Sequence, residues 1–258
     1  MEVFYHKGFS HNLGRDMEYK RYGHAGRPVV MFPTSRGRFF QYEDTGTIAA
    51  LSEFIDSGSI QVWTLDGIDS ETFFSHDHDL QHRIGRHEAY FRYVRDEALS
   101  EILAAALLSN GGLTSKPIFS GCSMGAFHAS NFAFRFPELA AGVIALSGLY
   151  STQDFFGPAL EGDIYFNSPL DYLAGLTDER ILERIRALRM IFCTGQGAWE
   201  ERMIRETHQL EDVLRDKSIP AWFDYWGSDV SHDWQWWHRQ LPYFMGHWLE
   251  DDQTRRLA

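Results

Sequence analysis

The residues best suited to chemistry are Gly121, Cys122, Ser123, Met124 and Gly125, a G-x-S-x-G pattern. They fall between an apolar run, residues 117–120, and a stretch of helical character, residues 126–136. In a strand–turn–helix setting this spacing raises a serine hydroxyl on a sharp turn, clear of the sheet beneath it. The flanking glycines allow helix and strand to approach closely around that turn. A serine hydroxyl is a weak nucleophile at its own pKa. It needs a base within hydrogen-bond reach, an acid that orients the base, and N–H donors for the oxyanion. Ser123 is therefore the expected nucleophile, and its partners must be sought elsewhere in the chain.

A second chemical cluster is the stretch with His76, Asp77, His78, Asp79 and His82. Histidines and carboxylates at close spacing can hold zinc. Gln81 stands where a metallohydrolase pattern needs an aspartate, so no metal and no other cofactor is expected. The stretch reads as a polar loop anchored by Arg83 and Arg86.

These residues must be positioned by strands and helices. The first 25 residues read as one or two antiparallel edge strands, punctuated by turn signals. Short apolar runs at 28–32, 60–65, 117–120, 141–146, 189–194 and 221–226 read as strands. Helical patterns occupy 47–55, 87–108, 126–136, 177–188, 198–217 and 234–250, with Thr177 as the cap of the fourth. Residues 66–85 read as a loop. Residues 147–176 are irregular and aromatic, and read as an insertion that covers a pocket. Strands alternating with helices imply an α/β fold with a mostly parallel sheet, helices on both faces and antiparallel N-terminal edge strands. No repeat, low-complexity tract or linker divides residues 1–258, so one domain is expected.

The element order then restricts the partners of Ser123. In the α/β-hydrolase order both acid and histidine follow the nucleophile. The histidine belongs on the loop after the last strand, which holds His232. The acid belongs on the loop after the strand at 189–194. That loop has no aspartate; Glu200 is the first choice, with Glu201 and Asp229 as alternatives. The first oxyanion donor is the amide of Met124, which opens a helix. The second comes from the loop after residues 28–32, with Ser35 favoured over Thr34 and Arg36. Trp234, Trp199 or Phe39 would supply an apolar wall, and Cys122 should point into the core.

Composition narrows the function classes further. The formal net charge of −12 argues against nucleic acid or an anionic membrane as a partner. No apolar stretch approaches the roughly 18 residues that a spanning helix requires. The two cysteines, Cys122 and Cys193, form no paired motif, and no signal peptide is apparent, so a cytoplasmic location is expected. The expected partner is a small molecule, with self-association of identical chains left open.

Several stretches carry a family resemblance. Residues 120–126 (S-G-C-S-M-G-A), residues 93–97 before the nucleophile strand, residues 136–148 and residues 227–234 are similar to an esterase branch of the α/β-hydrolases. That branch contains esterase D-like carboxylesterases, feruloyl esterases and mycolyltransferases. The resemblance spans roughly residues 28–248 and implies the α/β-hydrolase fold, a Ser–acid–His triad and ester substrates. Two positions depart from it. Ala198 stands where the family has its aspartate, and Pro33-Thr34 replaces a His-Gly pair in the oxyanion loop. Acyl transfer on the same site stands beside hydrolysis as an alternative, and the first departure keeps a catalytically impaired binding protein open as another.

Overall fold

A computed structural model describes residues 1–158 and 161–257; residues 159 and 160 of the expected insertion lie outside the described residues. Eight strands form one sheet in the order β1-β2-β4-β3-β5-β6-β7-β8. The strands are β1 Val3–Ser10, β2 Arg15–Tyr22, β3 Arg27–Phe32, β4 Ile60–Leu65, β5 Ile118–Cys122, β6 Gly142–Leu146, β7 Arg189–Thr194 and β8 Trp222–Tyr225. The β1–β2 and β2–β4 pairings are antiparallel, and every pairing from β4 onward is parallel. This is the α/β-hydrolase architecture expected from the sequence.

The central strands are buried on both faces, which explains why β3, β5, β6 and β7 read as unbroken apolar runs rather than alternating ones. One face packs Phe32, Phe119, Val143 and Phe192 against Ala129, Phe132 and Leu210 from the flanking helices. The other packs Val29, Ile118, Ile144 and Ile191 against Leu51, Leu241, Phe244 and Trp248. Each such aliphatic side chain, fully buried, contributes about 1.5–3 kcal/mol relative to exposure.

Several helix boundaries differ from expectation, each for a local reason. The long helix begins at Leu80, not residue 87, because the Asp79 side chain caps it by accepting from the His82 amide at 2.8 Å. It widens into a π turn at Tyr93–Ala98 before Leu99–Ser109 completes it. The helix Glu179–Arg186 is capped by Asp178, not Thr177: the aspartate accepts from the Arg180 amide. The stretch expected at 47–55 divides into Thr47–Ala50 and Ser52–Asp56. The last helix runs past residue 250, from Trp234 to Leu257. Among the described residues, no helix is long and apolar enough to cross a membrane.

Short helices Gln153–Phe156, Gly162–Tyr165 and Pro169–Gly175 punctuate the irregular region. Phe156 and Ile164 from this region pack with Phe73, Met124, Phe127 and Leu149. Arg83 ties it down, donating to the carbonyls of Thr72, Phe73 and Phe155.

Tyr42 joins β3 to β5 where both strands end. Its hydroxyl donates to the Phe32 carbonyl at 2.7 Å and accepts from the Cys122 amide at 3.1 Å. Tyr42→Phe strands two buried backbone groups. The expected loss is about 1–3 kcal/mol, measured by urea unfolding; a midpoint equal to that of the wild type would show that this bridge contributes nothing.

Candidate active site

Ser123 occupies the turn between β5 and the helix Met124–Arg135 with φ 56° and ψ −124°, a conformation that L-residues rarely adopt. The turn is closed by contact. A Cβ on Gly121 would stand 2.3 Å from the Gly125 carbonyl carbon, and one on Gly125 would stand 2.3 Å from the Phe32 carbonyl oxygen. The Ser123 amide donates to Leu146 at 2.9 Å, tying the turn to the end of β6. Cys122 is fully buried in the core, and that burial pushes its thiol well up, so the sulfur stays protonated at neutral pH.

His232 lies on the loop after β8, and its Nε2 is 3.0 Å from Ser123 Oγ. The loop is zipped to the one after β7. The His232 amide donates to Ala198 at 3.0 Å, Gly197 donates to Val230 at 2.8 Å, and Gln196 donates to Gly227 at 3.2 Å. Side chains are excluded from this contact, since a Cβ on Gly195 would stand 2.1 Å from the Val230 carbonyl oxygen.

The same zipper brings Glu200 beneath the imidazole. Glu200 precedes the helix Glu201–Asp216, is 0% exposed, and holds Oε2 3.5 Å from His232 Nδ1. That separation suits an ion pair but is long for a hydrogen bond, and Nδ1 has no hydrogen-bond partner among the described residues. Catalytic contacts of this kind commonly tighten only once substrate is bound. Glu201 and Asp229 are both exposed.

Three further residues hold the buried carboxylate, and sequence reasoning missed them. Ser147 Oγ donates to Glu200 Oε1 at 2.5 Å, and Thr194 Oγ1 stands 3.0 Å from Oε2. Trp237 Nε1 donates to Ser147 Oγ at 3.0 Å, while its ring meets the His232 ring edge-on at 4.9 Å. Ser147 directly follows β6 and Thr194 ends β7, and the C-terminal edge of a parallel sheet is where ligand sites gather. That rule is the one signal that pointed to them.

The Met124 amide opens its helix and has no acceptor within it. On the loop after β3, the Thr34 amide donates to Gln41 Oε1 at 3.0 Å and the Arg36 amide to Asp69 Oδ2 at 3.2 Å. The two alternatives to Ser35, Thr34 and Arg36, are thus engaged, whereas the amide of Ser35, an exposed residue, has no acceptor among the described residues.

The aromatic residues expected to wall the site are dispersed. Trp199 is 80% exposed, with φ 68°. Phe39 is buried beside Tyr5 and Phe40, and Trp234 packs on Tyr42 and Trp237. In the histidine-rich stretch, His78 and His82 lie ring to ring at 4.2 Å, and no group that could hold a metal occurs among the described residues. Grooves of about 310 and 320 Å³ lie at the opposite, N-terminal edge of the parallel strands, beside Arg27, Ser59 and Pro117.

No protein-family model matches this sequence, and no curated protein matches it. Solved structures share its fold. A ferulic acid esterase is 16% identical with a TM-score of 0.73, over 94% of this chain and 95% of that one. A fluorophosphonate-binding serine hydrolase of Staphylococcus aureus is 14% identical with a TM-score of 0.70, over 96% and 98%. An S-formylglutathione hydrolase from Agrobacterium tumefaciens is 14% identical with a TM-score of 0.66, over 98% and 93%. At such identities the likeness establishes a common fold.

The carboxylate network has a measurable consequence. Ser147→Ala removes a hydroxyl donor from a buried carboxylate and strands the Trp237 N–H. Chemical denaturation should read a loss of about 1.5–3 kcal/mol, the range for hydrogen bonds to charged groups. A change under about 0.5 kcal/mol would exclude this network as a source of stability.

Proposed function

We propose that this chain of α/β-hydrolase fold is a serine esterase, cleaving a small-molecule carboxylic ester through an acyl-enzyme on Ser123. The observation that carries the reading is the 3.0 Å contact between Ser123 Oγ and His232 Nε2 on a strained turn, with a buried carboxylate on the far side of the ring. A serine held there for structure alone would not require a backbone conformation that costs of order 1–3 kcal/mol.

In the first step Ser123 Oγ attacks the ester carbonyl while His232 Nε2 takes the hydroxyl proton. Glu200 orients the ring through Nδ1–H and stabilises the imidazolium that forms. The oxyanion receives the amides of Met124 and Ser35. His232 then returns the proton to the departing alkoxide, leaving the acyl group on Ser123. Water repeats the sequence: His232 takes its proton, the hydroxide oxygen attacks the acyl carbon, and the free acid leaves as Ser123 regains its hydrogen. A glutamate can replace the aspartate that related chains carry, because the acid need only accept from Nδ1–H and stay ionised. The names of the structural neighbours, ferulic acid esterase and S-formylglutathione hydrolase among them, agree with acyl-group hydrolysis.

Wild-type protein should take a fluorophosphonate label stoichiometrically and hydrolyse p-nitrophenyl acetate or butyrate, and Ser123→Ala should do neither. Glu200→Gln should lower kcat by on the order of 10⁴, the cost of losing the triad acid. A loss of only a few-fold would remove Glu200 from that role. A wild-type chain that takes no label and turns over no ester would overturn the esterase reading itself.

A further inference from the structure

A second buried carboxylate stands on the other side of the nucleophile turn. Asp69 begins a single 3₁₀ turn, Asp69–Glu71, shortly after β4, and its side chain is 4% exposed. Its two oxygens are divided between two elements. Oδ1 is 2.8 Å from Nε2 of His128, and Oδ2 accepts from the Arg36 amide at 3.2 Å. His128 is equally buried and lies on the helix that starts at Met124, four residues along. The carboxylate therefore bridges the helix that provides one oxyanion amide to the loop that provides the other.

The bridge works on a loop that needs it. Arg36 has φ 56°, in the left-handed region that favours glycine, so its backbone would relax if released. Gln41 holds the other flank, accepting from the Thr34 amide at 3.0 Å and donating to Thr34 Oγ1 at 2.8 Å. Gly37 closes the turn by donating to the Thr34 carbonyl at 2.8 Å. Among the amides of residues 34–37, Ser35 alone lacks an acceptor among the described residues. The rings of Phe32, Phe73, Phe91 and Phe127 surround His128 at 5.3–6.3 Å between centroids, which keeps water from competing for the carboxylate. His87, uncharged because burial holds it well below the ordinary imidazole range, adds no rival cation.

We propose that Asp69, anchored by His128, is a positioning residue that fixes the backbone around Ser35 so that its amide stays aimed at the oxyanion. The inference rests on the esterase reading of Ser123. Because the donor acts on charge that develops in the transition state, loosening it should lower kcat while leaving KM nearly unchanged. Removing an oxyanion donor outright costs about 10²–10³ in kcat; a donor that is displaced rather than deleted should cost about 10–10².

The test compares Asp69→Ala, Asp69→Asn and His128→Phe with the wild type, using p-nitrophenyl butyrate. Active sites are counted by fluorophosphonate labelling run to completion, so that a loss of folded protein is separated from a loss of rate per site. Asp69→Ala is expected to lose at least tenfold in kcat per labelled site, with KM within about threefold. Asp69→Asn keeps an acceptor for the Arg36 amide and should recover most of that loss. His128→Phe preserves the ring packing but deletes the anchor, and should show the same selective fall in kcat; it serves if the alanine variant does not accumulate. Per-site kcat within twofold of the wild type for Asp69→Ala or His128→Phe would overturn the proposal, as would a loss carried by KM. A wild-type chain that takes no label overturns the esterase reading, and this inference with it.

Discussion

Everything at the site depends on one close approach: the backbone of Gly125 against the carbonyls of Phe32 and Pro33. A Cβ at Gly125 would lie 2.3 Å from one of those oxygens and 2.7 Å from the other. The contact draws the helix Met124–Arg135 over the ends of β3 and β5, which forces the chain to reverse within one residue. Ser123 absorbs the reversal at φ 56°, ψ −124°. Such a backbone persists only where its surroundings over-determine it. Here the Ser123 amide is tied to Leu146, its carbonyl accepts from Ala126 and Phe127, and Tyr42 clamps the two strands below.

From that turn, two buried carboxylates divide the remaining work. Glu200 lies on the His232 side and is satisfied by hydroxyls from the ends of β6 and β7. Asp69 lies on the side of the loop after β3 and is satisfied by a ring nitrogen and a backbone amide. A buried carboxylate without partners would cost several kcal/mol, so each is held by donors whose own positions are set by packing. The aromatic residues act in the same direction. The Trp237 ring steadies His232 while its N–H steadies Ser147, and Phe73, Phe127 and Phe156 seal the opposite flank. The other aromatic residues divide between the core on both faces of the sheet and exposed positions such as Trp199.

Where the esterase pattern that the sequence resembles has an aspartate, Ala198 uses its carbonyl to accept from the His232 amide. Two residues on, before the start of a helix, Glu200 is the carboxylate that approaches His232. Gln41 and Asp69 hold the loop after β3 from its two sides.

The sequence by itself determined the strands, their parallel order, the nucleophile turn and the loop that bears the histidine. These depend on local properties: apolar runs of strand length, glycines at fixed spacing around Ser123, and the position of His232 after the final apolar run. Sequence also narrowed the acid to Glu200, Glu201 or Asp229 without separating them. Only the tertiary structure shows which of them lies beside His232, because that turns on which side chain the pairing of Gly197 with Val230 folds inward, and that pairing is invisible to local pattern. Ser147, Trp237, Tyr42, Asp69 and His128 were equally illegible, since each meets its partner across 10 to 90 residues of chain. Short-range sterics and periodicity write themselves into a sequence; which distant polar groups share a buried space is set only when the helices close on the sheet.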